Sequence, residues 1–211
     1  MDNKISIIKK WLGTGSINIF GLPMSGKDTQ GIRLAEALGA KFLSSGLIIR
    51  AKEAEVGTDY SSSGTLIPTN VFYEWVLPYF EREDLKPYPL ILSSIGRWSG
   101  EENEVMSVAR KSGHEIKTAI LLNISQADAE SRFEAAKILG DRGERKDDTN
   151  LDIFRVRIEE FKEKTVPVLN YYKSHDLLTI VNGNKSRDGV YEEIIEKLYA
   201  LASKSLSETQ I

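Results

Sequence analysis

The sequence predicts an α/β fold of three layers, α/β/α, around a central parallel sheet. Three observations carry this. Short apolar runs alternate with helical patterns, a glycine-rich loop joins one strand directly to a helix, and two polar segments interrupt the alternation as insertions. In chain order, Ile5, Ile8 and Trp11 or Leu12 recur at helical spacing before Gly13 and Gly15, so a short docked helix comes first. SINIF then reads as a buried strand running into a Gly/Pro loop. TQGIRLAEAL follows as a helix, with Ile32, Leu34, Ala35 and Leu38 available to pack on the sheet. YPLILSS, KTAILLNIS and LLTIV are short apolar strands, followed in turn by the helical patterns EENEVMSVARK, ADAESRFEAAK and DGVYEEIIEKL. Strands separated by helices are joined by crossovers, which makes neighbouring strands parallel and covers both faces of the sheet. The insertions are residues 45–80, helical with a GTDYSSSGT loop, and residues 138–149, ILGDRGERKDDT preceded by Lys137, polar and rich in both charges.

Composition narrows the function. A chain of 211 residues with 41% hydrophobic content buries a core of its own and fits one domain, 1–211. With 28 basic and 31 acidic residues the net charge is -3, so no bulk positive field draws it to nucleic acid or to anionic lipid, and any anion site is local. The absence of cysteine excludes disulfides, thiolate zinc sites and cysteine nucleophiles. The first residues lack the apolar core of a signal peptide and no apolar run approaches membrane-spanning length, so the expected location is the cytoplasm. His114 and His175 lie in polar stretches without a second ligand at metal-binding spacing and are expected at the surface. Phe72, Tyr73, Trp75, Leu77 and Phe80 read as the core of the first insertion, and YEEIIEKLYALASK as an amphipathic helix packed on the sheet.

The loop GLPMSGKDTQ carries the chemistry. Gly21, Gly26 and Lys27 satisfy G-x-x-x-x-G-K, the P-loop pattern, in which backbone N–H groups curl around phosphate oxygens and the lysine neutralises them at a helix N-terminus. Its place between a strand and a helix is the context the motif needs. The residue after the lysine is Asp28, where a hydroxyl is the usual P-loop choice.

Several stretches together resemble the adenylate kinase family of nucleoside monophosphate kinases. That family's loop reads G-x-P-G-x-G-K-G-T-Q, matched here at Gly21, Pro23, Gly26, Lys27, Thr29 and Gln30, with Met24 and Asp28 where it has glycine. Its S-T-G-D-L-L-R is similar to SSGLIIR, which carries acceptor-phosphate roles to Ser45 and Arg50. Its G-x-L-V-P is similar to GTLIP, residues 64–68, and carries acceptor-base contacts to Leu66 and Ile67. Its D-G-F-P-R is similar to SSIGR, which keeps the arginine as Arg97 and has Ser93 in place of the aspartate. RKDD, Arg157, TVPVLNYY and VNG complete the series, which runs in the family's order over residues 17–200. The resemblance implies a P-loop kinase with core segments 16–44, 81–137 and 150–205, a helical NMP-binding insertion at 45–80 and a short lid at 138–149.

On that footing the phosphate clamps are Lys27, Arg97, Arg145 and Arg157; arginine suits the task because its planar fork binds phosphate in a bidentate way and never loses its charge. The ATP side takes Gly21, Ser25, Gly26, Lys27, Asp28, Thr29, Arg132, Arg142, Asn182 and Gly183. The alternative for the lid is a solvated charged loop, with Asp147 and Asp148 capping the helix near Asn150. The resemblance implies transfer from ATP, with Mg²⁺, to a nucleoside monophosphate, AMP leading; the alternative is a nucleotide-binding regulatory protein that keeps the fold without turnover, as Ser93 would allow. Expected partners are small-molecule nucleotides, with no nucleic acid and no membrane, and the expected state is a monomer.

Two positions leave a choice open. Glu101 stands where the family commonly has an adenine-reading glutamine; it either reads the acceptor base or serves the helix that follows, beside a Ser99/Glu102 capping box. Asp28 either organises a metal ion or turns away to pair with an arginine such as Arg97 or to cap its own helix. A bare carboxylate about 4 Å from a phosphate oxygen costs on the order of 4 kcal/mol per charge pair at an effective dielectric near 20, so it requires a compensating cation.

Overall fold

Five strands form the sheet: β1 (Ser16–Gly21), β2 (Lys41–Ser44), β3 (Leu90–Ser93), β4 (Ile116–Asn123) and β5 (Leu178–Asn182). In the computed structural model, which describes residues 1–139 and 150–208, all pairings are parallel in the order β2-β3-β1-β4-β5. The strand predicted at each apolar run is present. β2 was not expected: it has only four residues, its outer half is open to solvent, and so it shows no apolar run. What makes it a strand is pairing with β3, with Phe42 lying over Gly31 so closely that a Cβ there would stand 2.5 Å from its ring.

The helices are α1 (Asp2–Leu12), α2 (Lys27–Leu38), α3 (Ser45–Val56), α4 (Thr69–Trp75), α5 (Glu101–Lys111), α6 (Gln126–Leu139), α7 (Leu151–Glu160), α8 (Val166–Ser174) and α9 (Arg187–Glu208). β1 is buried at every position, and the period of two sorts its side chains onto two cores. Ile17 and Ile19 join Ile91, Ile120 and Val181 under α1, α2 and α9. Phe20 joins Leu90, Leu92 and Ala119 under α5, α7 and α8. α1 docks on α9 and is tied to it by an ion pair from Lys4 to Glu196. The insertion has the core expected for it, with Phe72, Leu77 and Phe80 buried and Tyr73 and Trp75 packed against them.

Two expectations are corrected. Ile32 is 47% exposed, because the buried stripe of α2 is Gly31, Leu34, Ala35 and Leu38 and the next position along the helix turns about 100° away from it. His114 is fully buried rather than at the surface: Nδ1 lies 2.8 Å from the carbonyl of Thr14, and the His114 carbonyl accepts from the Ser16 hydroxyl. It fills the space where the end of α5 meets the start of β1, a contact invisible to local polarity. His175 is exposed as expected.

α7 and α8 are parts of one helical rod joined by a π-turn at Phe161–Thr165. Pro167, at the start of α8, cannot donate to the preceding turn, and the wider turn absorbs the missing bond. Asn150 caps α7, its Oδ1 accepting from the Ile153 N–H at 2.8 Å. Ser94, just after β3, is held at φ +53°, a left-handed conformation that disfavours any Cβ. Replacing Ser94 by glycine relieves about 1–2 kcal/mol of left-handed strain but loosens the unfolded chain by about 0.5–1 kcal/mol, so a net gain of at most about 1 kcal/mol is expected, read as a shift of the urea midpoint at constant m value.

Candidate active site

The order β2-β3-β1-β4-β5 reverses direction at β1, and in such sheets the crevice beyond the strand ends at the reversal is where ligands bind. The G-x-x-x-x-G-K loop springs from the end of β1 into that crevice. Gly21 is required there because a Cβ would run into Ser25 and stand 3.0 Å from the Leu122 carbonyl. Gly26 at φ +87° turns the chain so that α2 begins at Lys27, aiming the free N–H groups of its first turn outward. Met24 also has positive φ, +67°, and its side chain is buried in the core beneath the loop.

One cavity gathers side chains from separate elements: Lys27 and Asp28 from α2, Ser45 and Arg50 from α3, Leu66 and Ile67 from the insertion, Ser93 from β3, Arg97 and Glu101 beyond it, and Arg157 from α7. These are residues 130 positions apart in sequence at the extremes, converging through the parallel topology. Ser93 is paired in register with Ile19 of β1, and its hydroxyl donates to Asp28 Oδ1 at 2.6 Å, so the carboxylate faces the end of β3. The N-cap of α2 is Gly26, which has no side chain to cap with. Ser45 donates to the Ser94 carbonyl at 2.8 Å and thereby fixes the first turn of α3 against the strand end.

Two buried carboxylates that sequence reading passed over hold the insertion in shape. Glu53 accepts from the N–H groups of Tyr60 and Ser61 and from the Ser61 hydroxyl, all within 2.7 Å. Glu160 accepts from the Leu66 N–H at 2.8 Å and from Lys164 at 2.7 Å, while Lys164 also lies 4.0 Å over the ring of Trp98. Gly64 touches α7 so tightly that a Cβ would meet the Ile153 carbonyl at 2.9 Å and Arg157 Cγ at 3.1 Å. The insertion is thus packed down on α7. In a sequence a Glu is expected to face solvent; only the backbone donors brought to it reveal the role.

Glu101 is 2% exposed. One oxygen accepts from the N–H groups of Arg97 and Trp98 at 2.9 and 3.0 Å, and the other from the Thr69 hydroxyl at 2.9 Å. Burial pushes its carboxyl above the ordinary value of 4.5, with those hydrogen bonds pulling the other way. The expected Ser99/Glu102 box is replaced by a shorter arrangement: α5 starts after Gly100, and Glu102 reaches back to the Gly100 N–H at 2.7 Å.

Several proteins similar to this chain are named adenylate kinase. An adenylate kinase from Kocuria rhizophila is 31% identical over 188 residues, 85% of this chain and 96% of that protein. One from Thermus thermophilus is 30% identical over 197 residues, 87% and 97% of the two chains, and one from Encephalitozoon cuniculi 30% over 187 residues. The chain belongs to the adenylate kinase family. No family model matches it. A gluconokinase from Sinorhizobium meliloti has a similar fold, with a TM-score of 0.62 over 93% of this chain at 16% identity. As a member of the adenylate kinase family the chain is a phosphotransferase.

Several residues expected on the ATP side gather away from that cavity. Ser25, Gly26, Thr29, Arg132 and Gly183 line a second cleft, joined by Lys185 and Arg187, which the sequence reading had not singled out. Arg132 bridges the cleft by donating to the carbonyls of Gly183 at 2.7 Å and Met24 at 3.3 Å. Asn182 does not line that cleft; it lines a separate hollow with Asn184 and Glu193, its Oδ1 accepting from the Asn184 N–H. Arg142, Arg145, Asp147 and Asp148, with nearly all of the expected lid, lie outside the described residues. Among the described residues no helix is long and apolar enough to cross a membrane.

Proposed function

We propose that the chain transfers the γ-phosphoryl group of ATP to a nucleoside monophosphate, AMP by preference, giving two nucleoside diphosphates. The observation that carries this reading is the single cavity in which Lys27, Arg50, Arg97 and Arg157 stand around one space walled on its other side by Leu66 and Ile67. Four cationic groups suit two phosphate chains, and an apolar wall suits a base. An acceptor phosphate oxygen attacks the γ-phosphorus as the bond to the β–γ bridging oxygen breaks, in line. That acceptor is already anionic near neutral pH, so no general base and no covalent enzyme intermediate are needed. Lys27 and the N–H groups of α2 hold the donor phosphates; Arg97 and Arg50 hold the acceptor phosphate; Arg157 serves the group in transit. Mg²⁺, which would neutralise the β and γ oxygens, accompanies ATP in this reading. The segment 45–80 acts as the acceptor-binding insertion, and 138–149, with Arg142 and Arg145, as the lid.

A coupled assay with ATP and a panel of nucleoside monophosphates tests the proposal. Turnover with AMP above the others is expected; ATP binding with no turnover on any acceptor would favour the non-catalytic alternative.

Glu101 supports the loop rather than reading the base, because each of its oxygens already accepts from the protein. Glu101→Gln is therefore expected to leave the ratio of AMP to GMP turnover within about twofold, since one amide oxygen can take both N–H groups and Thr69 can turn from donor to acceptor. The variant should also alter the pH dependence of stability. With its folded value raised above the unfolded one, Glu101 binds its proton more tightly when folded, so its contribution to stability declines as pH rises above 4.5. Urea midpoints of wild type relative to the variant should fall from pH 4.5 to 7; a shifted base preference would return Glu101 to recognition.

A further inference from the structure

P-loop enzymes commonly hold the nucleotide's metal ion between a hydroxyl directly after the loop lysine and an aspartate on a neighbouring strand. Here both residue types are present with their places exchanged. The carboxylate, Asp28, follows Lys27, and the hydroxyl, Ser93, ends β3 beside β1. The two meet at 2.6 Å, the length of a charge-assisted hydrogen bond, and both face the cavity that holds Lys27 and the phosphate-clamping arginines. We propose that this exchanged pair is the metal-organising site: Asp28, oriented by Ser93, holds the water shell of the divalent cation carried by ATP. The inference rests on the phosphoryl-donor reading above.

The donor set fits the ion. Mg²⁺ dehydrates reluctantly and is typically held by one or two carboxylates together with substrate phosphates and several waters, not by an all-protein cage. Among the described residues no cluster of three or more His, Asp or Glu stands ready to hold a metal alone, so the nucleotide must supply oxygens. A carboxylate offers about four lone-pair sites, so one group can accept from a hydroxyl and from metal-bound water at once. Ser93 is 1% exposed, and its place in the strand register fixes the direction from which it grips Asp28. The orientation is therefore set by the sheet, not by the flexibility of an aspartate on a helix end.

A purely structural tether from α2 to β3 would have the same hydrogen bond, so the test reads metal binding and nucleotide binding separately. Mn²⁺ is titrated into the complex of the full chain with ATP, followed by water-proton relaxation, and metal-free ATP affinity is measured by calorimetry. The variants are Asp28→Asn, which keeps an acceptor for Ser93, and the double exchange Asp28→Ser with Ser93→Asp. The single change should weaken Mn²⁺ by at least about tenfold while metal-free ATP binds as well or better, and the exchange should restore Mn²⁺ to within about threefold of wild type. Unchanged Mn²⁺ affinity in Asp28→Asn, or an equal loss of metal-free ATP, overturns the proposal and leaves the donor reading intact. Failure of wild type to bind ATP at all overturns both.

Discussion

Lys27→Met is expected to lower phosphoryl transfer by about a thousandfold, close to 4 kcal/mol of transition-state stabilisation, while the melting temperature moves by no more than about 2 °C. The two outcomes separate because Lys27 is half-buried at the first position of α2 and belongs to neither hydrophobic core. In the proposed function its charge serves the donor phosphates, and the curvature of the loop that carries it is set by Gly21 and Gly26. Methionine keeps the length and the apolar stem, so what is lost is the charge and its donors. Stopped-flow or coupled assays at saturating ATP, beside a thermal melt, provide the check. A variant within about tenfold of wild type would show that the loop binds no reacting phosphate.

Arg157→Ala is the second large effect, a loss of about a hundred- to a thousandfold in kcat. Arg157 comes to the cavity from α7, the only described helix that both lines the site and presses on the insertion at Gly64. Its stem forms part of that contact and the residue lines the cavity, so charge and fit should be lost together. Arg157→Lys separates them. It restores a cation but not the planar fork, and is expected to recover no more than about a tenth of the lost rate. Full recovery by lysine would mean that only net charge matters at this position and that the bidentate clamp is elsewhere.

The parts of the site that were legible in the sequence are those whose geometry is local. A loop of seven residues between an apolar strand and a helix has little freedom, so Gly21, Gly26 and Lys27 announce their own arrangement. Arg50, Arg97 and Arg157 were legible through their neighbouring motifs, and the structure brings all three to one cavity. Glu101 was legible as a choice between two roles, and its bonds to Arg97, Trp98 and Thr69 support the one that serves the loop. Glu53, Glu160 and His114 were misread or unread because polarity alone predicts exposure, and their burial depends on partners arriving from other elements.

By itself the sequence determined the alternation of strands and helices, the phosphate loop and the supply of arginines, since apolar periodicity and glycine spacing act over a few residues. The tertiary structure alone decided that Asp28 and Ser93, 65 positions apart, share a hydrogen bond. It likewise decided that Glu160 holds the backbone of Leu66 from 94 positions away and that β2 pairs at all. The reason is one of range: propensity and periodicity are properties of the chain near a residue, whereas the partner of a buried carboxylate is set by how the sheet stacks distant segments side by side.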